Sequence, residues 1–412
     1  MTRDAITQQA RQILLTYDPV PRDWQKEALR IWSINYRGTV SVVTGGGKTI
    51  FCFLSMKEAL STNNELRFLI IVPTIALLDQ WFVSLVHDLR LPEGSIHLIT
   101  SASQSTDLRL INLCIINSGR NTISRLTKNG HWFVCVDECH RAGSLANSSA
   151  LQGKFEATLG MSATPRRQYD AGFEDRVAPI LGDVIFEYSF QEALEDGVVT
   201  PFLLKNYKIR LTTAERKQYD YLSRLIAVEL QKQKKRRNEE SKRLERLLHQ
   251  RASVAVNARW RIPSAVLLAT QFSRPTIIFH ERIAAANEIA DLVQKTGRRA
   301  VTYHTGLSRG MRQRNLALFR EGIADILVTC KSLDEGLNVP EAEIGIMAAS
   351  SRSIRQRIQR LGRVIRRSPG KERSIVCTLY ATESEETQLQ SEGNELSEII
   401  NIEWYEASIR ND

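Results

Sequence analysis

The chain has 412 residues, 42% of them hydrophobic and 25% charged, with a formal net charge of +10. That length exceeds one ordinary core and accommodates two, and the composition is that of a globular protein, not of a disordered or fibrous one. No apolar run approaches the roughly 18–20 residues of a membrane span, which excludes membrane-embedded function classes and leaves a cytoplasmic location expected.

In chain order, "MTRDAITQQARQILL" reads as a polar helix without a signal-peptide core. "RDWQKEAL" follows, carrying Arg22 and Gln25. A β-rich run, "TVSVV", then leads into "TGGGKT", Thr44 to Thr49. Two readings stand here, a flexible turn or a phosphate cradle. Glycines let backbone N–H groups ring an anion, a lysine adds fixed charge, and a threonine hydroxyl can ligate Mg²⁺. The full pattern G-x-x-x-x-G-K-[ST] would place a glycine where this chain has Val42. Next come "FLIIV" (68–72) and then "WFVCV" (132–136), which ends in adjacent carboxylates, Asp137 and Glu138, within "VCVDECH". Ligands of open α/β sheets bind at such strand ends. A further strand is expected before "GMSATPRR" (160–167). The six cysteines form no C-x-x-C pair, so buried reduced thiols are expected.

Residues 202–262 contain no Gly and no Pro. A short strand is expected here, then a long helical excursion starting at an N-cap box, "TTAE" at Thr212–Glu215. Tyr219, Leu222, Ile226 and Leu230 fall at helical spacing, as do Leu244, Leu247 and Leu248. Its tip, "KQKKRRNEESKRLER" from Lys232 to Arg246, is dense in positive charge. Either it is a solvated turn or Lys234, Lys235 and Arg236 contact a polyanion. Beyond Pro263 the strand-like runs resume with "TIIFH" (276–280), "DILVT" (325–329) and "SIVCTLY" (374–380), interleaved with "HTGLSRG", "LDEGLNVP" (333–340) and "QRLGRVIRR" (359–367). The stretch after Thr382 is acidic. Alternating β runs and helical segments predict βαβ units and parallel sheets, hence an α/β fold. Two clusters of runs predict two domains, residues 1–200 and 201–412, with a helical insertion over about 212–262.

This ordered set of motifs resembles the superfamily 2 helicases of the DECH-box kind, over about Arg22 to Tyr380. "IVPTIALLDQW", "LEDGVVTPFLLKNYKIRLT" and "RQRIQRLGRVIRRSPGKE" are most similar to the group holding the xeroderma pigmentosum B helicase and the restriction-enzyme motor subunits. The resemblance implies two RecA-like domains, with ATP and Mg²⁺ as cofactors. Arg22 and Gln25 would read the adenine. Gly45, Gly46 and Gly47 would shape the phosphate loop opened by Thr44, with Lys48 on the β- and γ-phosphates. Thr49 and Asp137 would hold Mg²⁺, and Glu138 would act on water. His140, Ser162 and Thr164 would couple this site to the domain interface. Glu335 and Gly336 would sense nucleotide, whereas Asn338 stands where many relatives carry Asp. Gln359 and Arg360 belong to the last motif, with Arg363 and Arg366 as arginine fingers that stabilise charge on the transferring phosphoryl group. Pro73, Thr74 and Arg309 would hold nucleic-acid phosphates, contacts that carry no sequence specificity. His304 is expected to orient a loop, and Trp24 and Trp81 to pack in the core.

The expected function is an ATP-dependent helicase or translocase acting on nucleic acid, DNA before RNA. The alternative is a nucleic-acid-stimulated ATPase that remodels or loads a partner protein without unwinding. No nuclease motif, zinc site or specificity domain is visible, so a protein partner supplying targeting or nuclease activity is expected.

Overall fold

A computed structural model describes residues 2–100, 107–166, 171–235, 242–330, 339, 342–349, 373–396 and 400–406. Its strands form where β-branched and aromatic residues run unbroken, because both faces of a parallel sheet are covered and neither needs polar alternation. The chain divides into two compact units, Met1–Val198 and Val199–Asp412.

The first unit holds β1 (Arg37–Val42), β2 (Arg67–Val72), β3 (Ile96–Ile99), β4 (Ile111–Ile115), β5 (Trp132–Asp137), β6 (Ala157–Ser162) and β7 (Val184–Tyr188). They make one sheet in the order β3-β4-β2-β5-β6-β1-β7, every pairing parallel. All carboxyl ends therefore open on one edge, and β6 lies between β1 and β5. Aromatic rings fix one face: Phe133 meets Phe68 edge-on at 5.7 Å and Trp32 at 5.6 Å. Truncating any of these fully buried rings to Ala should cost about 3–5 kcal/mol.

The second unit holds β8 (Phe202–Lys208), β9 (Thr276–Phe279), β10 (Ala300–Tyr303), β11 (Ile326–Thr329), β12 (Ile344–Met347), β13 (Ser374–Tyr380) and β14 (Asn401–Glu406). Its order is β10-β11-β9-β12-β13-β8-β14, again all parallel. Counted from each unit's own first strand, the two sheets share one permutation. The sequence runs named six strands outright. Two more, β6 and β8, were expected without a named run; β3, β4, β7, β10, β12 and β14 were missed, the last because its alternation "NIEWYE" hides inside the acidic stretch.

After β8 come helices Thr213–Lys235 and Lys242–Val256. The expected N-cap box is made, Glu215 N–H to Thr212 Oγ1 at 3.3 Å and Thr212 N–H to Glu215 Oε2 at 2.8 Å. The two helices bury Tyr219, Leu222, Ile226, Leu244 and Leu247 against each other. Leu230 and Leu248 were expected on that face but stand 44% and 41% exposed. Leu248 is rotated about 100° from Leu247, which takes it off the stripe.

The base of this pair is tied to the second sheet by Arg261, which is wholly buried. Its guanidinium donates to Ala255 O at 2.6 Å, to Ala348 O at 2.9 Å, to Leu379 O at 2.8 Å and to the Glu385 carboxylate. Ala348 follows β12 and Leu379 lies in β13, so one side chain closes both strand ends. All six cysteines are buried, and none forms a disulfide.

Candidate nucleotide-binding site

Three neighbouring strands end together in the first unit: β1 in "TGGGKT", β6 in Ser162-Ala163-Thr164, and β5 in Asp137-Glu138. Parallel strands lie about 4.8 Å apart, so the outer two of these three ends are separated by about 10 Å. Motifs spread over some 120 residues of chain thereby reach one edge.

The glycine loop is built for close approach. Gly45 and Gly47 have φ of +89° and +103°, conformations that L side chains rarely adopt. A Cβ on Gly46 would sit 2.6 Å from Val42 Cγ1. The residue that replaces the early glycine of the usual pattern thus packs against the loop. Gly47 caps helix Lys48–Thr62 without any side-chain cap bond, so the first amides of a 15-residue helix are left to a ligand. Lys48 Nζ is folded onto Val42 O at 3.0 Å, and the Thr44 hydroxyl is buried without a partner.

Two residues of the helix Asp23–Trp32 brace this loop. Gln25 donates through Nε2 to Gly47 O at 3.0 Å and accepts from the Arg22 amide at 2.9 Å. Trp24 donates to Gly46 O at 3.1 Å and stacks on Tyr188 at 5.3 Å. Core packing alone was expected of Trp24; its indole N–H also holds the loop.

Asp137 closes β5 and is 8% exposed. Its Oδ1 accepts the Glu138 amide at 3.0 Å, and its Oδ2 accepts the Trp81 indole N–H at 2.9 Å. Burial, and then the adjacent Glu138 charge, raise the Asp137 pKa above the usual carboxylate range, against the pull of Lys48. Glu138 itself has φ +50° and ψ +48°, rare for a residue with a Cβ and a form of strain that concentrates at functional sites. His140 Nδ1 lies 2.9 Å from Ser162 Oγ and 3.5 Å from Glu138 Oε2. Ser162 Oγ also accepts the Thr164 amide at 3.0 Å. Asp137, Glu138, His140, Ser162 and Thr164 are therefore one connected group.

Two contacts at this edge escape the sequence, the Trp24 bond to Gly46 and the Trp81 bond to Asp137. The Trp81 bond spans 56 positions, and no local pattern marks an indole N–H. Pro73 and Thr74 follow β2, the neighbour of β5, and Thr74 caps helix Ile75–Val83 by accepting from Leu77 N at 3.5 Å. Arg309 opens helix Arg309–Arg320, and Lys234 and Lys235 end helix Thr213–Lys235; the side chains of these three are not described. His304 is buried, with Nε2 at 2.8 Å from Asn287 Oδ1. Arg236, Glu335, Gly336, Asn338, Gln359, Arg360, Arg363 and Arg366 lie outside the described residues.

The residues present fit a magnesium nucleotide. An uncapped helix start with two positive-φ glycines, a lysine and an orphaned threonine hydroxyl form an anion cradle. Thr49 and Asp137 offer oxygen donors, the chemistry a hard cation such as Mg²⁺ takes, and a buried carboxylate of raised pKa gains from positive charge.

Residues 18–167 match the family described as type III restriction enzyme, res subunit, and residues 260–368 match the helicase conserved C-terminal domain. The DNA 3'-5' translocase XPB2 of Sulfurisphaera tokodaii is 27% identical over 84% of this chain and 78% of its own length. The DNA 3'-5' helicase XPB of Kineococcus radiotolerans is 24% identical over 84% of this chain and 57% of its own. Among solved structures, S. cerevisiae Dbp5 bound to RNA and ADP BeF3 superposes with a TM-score of 0.61 at 13% identity, covering 98% of this chain and 94% of that one. That likeness gives the RecA-like fold alone.

Proposed function

We infer the activity from a premise that the two matches together supply: the chain is a superfamily 2 helicase of the XPB and type III restriction-subunit kind. It is an ATP-dependent DNA helicase or translocase. The observation that carries this reading is the meeting of the glycine loop with Asp137 and Glu138 across β6.

Bound Mg²⁺ would neutralise phosphate charge, and Thr49 and Asp137 are the residues proposed to hold it. Lys48 swings from Val42 O to the β- and γ-phosphates, while the amides of Gly45 to Thr49 surround them. Gln25, besides bracing Gly47, reads the adenine together with Arg22. Glu138 orients the attacking water and takes its proton. His140, Ser162 and Thr164 carry the change at Glu138 along β6. Arg363 and Arg366 supply charge to the transferring phosphoryl group, Gln359 acts beside them in the same motif, and Glu335 and Gly336 respond to the nucleotide. Pro73, Thr74 and Arg309 hold strand phosphates, and Lys234, Lys235 and Arg236 add a basic contact. A partner protein supplying targeting or nuclease activity completes the proposal.

The experiment compares ATP hydrolysis with single-stranded DNA, duplex DNA, forked DNA, RNA and no nucleic acid, alongside displacement of a third strand from a triplex. DNA-stimulated hydrolysis with triplex displacement is expected. Stimulation without displacement of any strand would instead favour remodelling of a partner.

A further inference from the structure

Trp81 touches both halves of the site and belongs to neither motif. It is 2% exposed, its ring meets Phe53 edge-on at 6.0 Å, and Phe53 sits on the helix that Lys48 begins. Its Nε1–H reaches Asp137 Oδ2 at 2.9 Å. The other oxygen, Oδ1, is already held by the Glu138 amide. Each carboxylate oxygen thus has one fixed donor, which sets the rotation of the group and leaves its remaining lone pairs in a defined direction. A side chain serving only to fill space would need no N–H there, and an apolar replacement would leave a buried carboxylate oxygen short of a donor.

The same nine-residue helix, Ile75–Val83, starts immediately after Thr74. Trp81 lies seven positions after Thr74, about 10 Å along a rigid element. We propose that Trp81 is a positioning residue for the metal-facing carboxylate, and that its helix links Asp137 to the strand contact at Pro73–Thr74. The link to the strand rests on the motor reading above; the hold on Asp137 does not. Engagement of a nucleic-acid phosphate at Thr74 displaces or steadies the helix, and the indole passes that state to the carboxylate.

The test measures Mn²⁺ binding by electron paramagnetic resonance in the presence of a non-hydrolysable ATP analogue. Trp81→Phe keeps a ring against Phe53 and deletes the donor. Incorporation of benzothienylalanine at position 81 replaces N–H by sulfur at nearly constant volume, and keeps the test valid should the Phe variant fold poorly. Both variants should need about tenfold more Mn²⁺ for half-saturation, the scale of removing one charge-assisted hydrogen bond. Adding single-stranded DNA should tighten Mn²⁺ binding in the wild type and not in the variants. Equal Mn²⁺ affinity in the wild type and the benzothienyl protein overturns the proposal. Indifference of the wild type to DNA, in both Mn²⁺ binding and ATP hydrolysis, overturns the motor reading and the link to Thr74, while the tenfold loss continues to support the hold on Asp137.

Discussion

The two units share one seven-strand permutation, yet they treat the corresponding strand ends in opposite ways. In the first, β1 ends in "TGGGKT", β5 in Asp137-Glu138 and β6 in Ser162-Ala163-Thr164. At the same places in the second, β8 leads to the helical pair, β12 runs into Ala348-Ala349, and β13 into Ala381-Thr382. Arg261 then fills the carbonyl ends of β12 and β13 with its own guanidinium. A sheet topology brings chain ends to one edge, and the side chains placed there decide whether that edge takes a ligand or is sealed.

The largest expected effect would break the comparison if it failed. If the second unit contributes charge to the chemistry and not phosphate binding, Arg366→Ala should lower kcat by about 10³ or more while leaving ATP-analogue affinity nearly intact. Arg366→Lys should not restore turnover, because an ammonium lacks the planar fork. Loss of affinity in proportion to rate would place that arginine in the binding site instead.

Next in size is the seal itself. Arg261→Ala leaves three carbonyls and the Glu385 carboxylate short of a donor, a loss of about 3–5 kcal/mol. Urea unfolding followed by hydrogen exchange should locate this destabilisation in residues 199–406, with exchange at the "TGGGKT" loop unchanged. A loss under about 1 kcal/mol would mean that the strand ends of the second unit do not depend on the plug.

Contact distance along the chain explains what the sequence disclosed. The glycine loop, the Asp137-Glu138-Cys139-His140 group and the capping box at Thr212 are legible because each is a contiguous pattern whose geometry is local. Arg261 meets carbonyls 87 and 118 positions away, and Trp81 a carboxylate 56 away, so neither shows any periodicity or spacing to find. Strands β5, β9 and β13 stood out as unbroken apolar runs, whereas β14 lies at the sheet edge and alternates with glutamates. Edge position relaxes the demand for two apolar faces, which removes the signal.

A smaller effect sharpens the contrast. His280, at the end of β9, is buried; burial first, then the nearby Arg261 and Arg282 charges, lower its pKa from 6.5 to about 4, with Glu281 opposing. Below pH 6.5 the unfolded chain takes up a proton that the folded chain refuses until about pH 4, so stability falls as pH drops through that window. The wild type should lose about 2 kcal/mol between pH 6.5 and 5 on this account. His280→Asn keeps an acceptor for the Arg282 amide, now made by Nδ1 at 3.1 Å, and should lose correspondingly less over the same range. Identical pH profiles in denaturant titrations would remove His280 from the account.

The smallest effect concerns the helical pair. Replacing Lys234, Lys235 and Arg236 by Gln should weaken DNA binding chiefly at low salt. On a single strand, each phosphate left without its cationic side chain flattens the slope of log K against log salt by about 0.7, hence about 2 for all three. An unchanged slope would leave this segment as a solvated turn.

The central claim is that the strand ends of the first unit hydrolyse ATP under the control of bound nucleic acid. Steady-state hydrolysis by the wild type and by Glu138→Gln, each with and without saturating single-stranded DNA, tests it most directly. The wild type should be stimulated by DNA. The Gln variant should fall by about 10²–10⁴ while binding ATP as tightly, since a carboxamide keeps the volume and loses the proton acceptor. Near-normal turnover by Glu138→Gln would contradict the claim, whatever the effect of DNA.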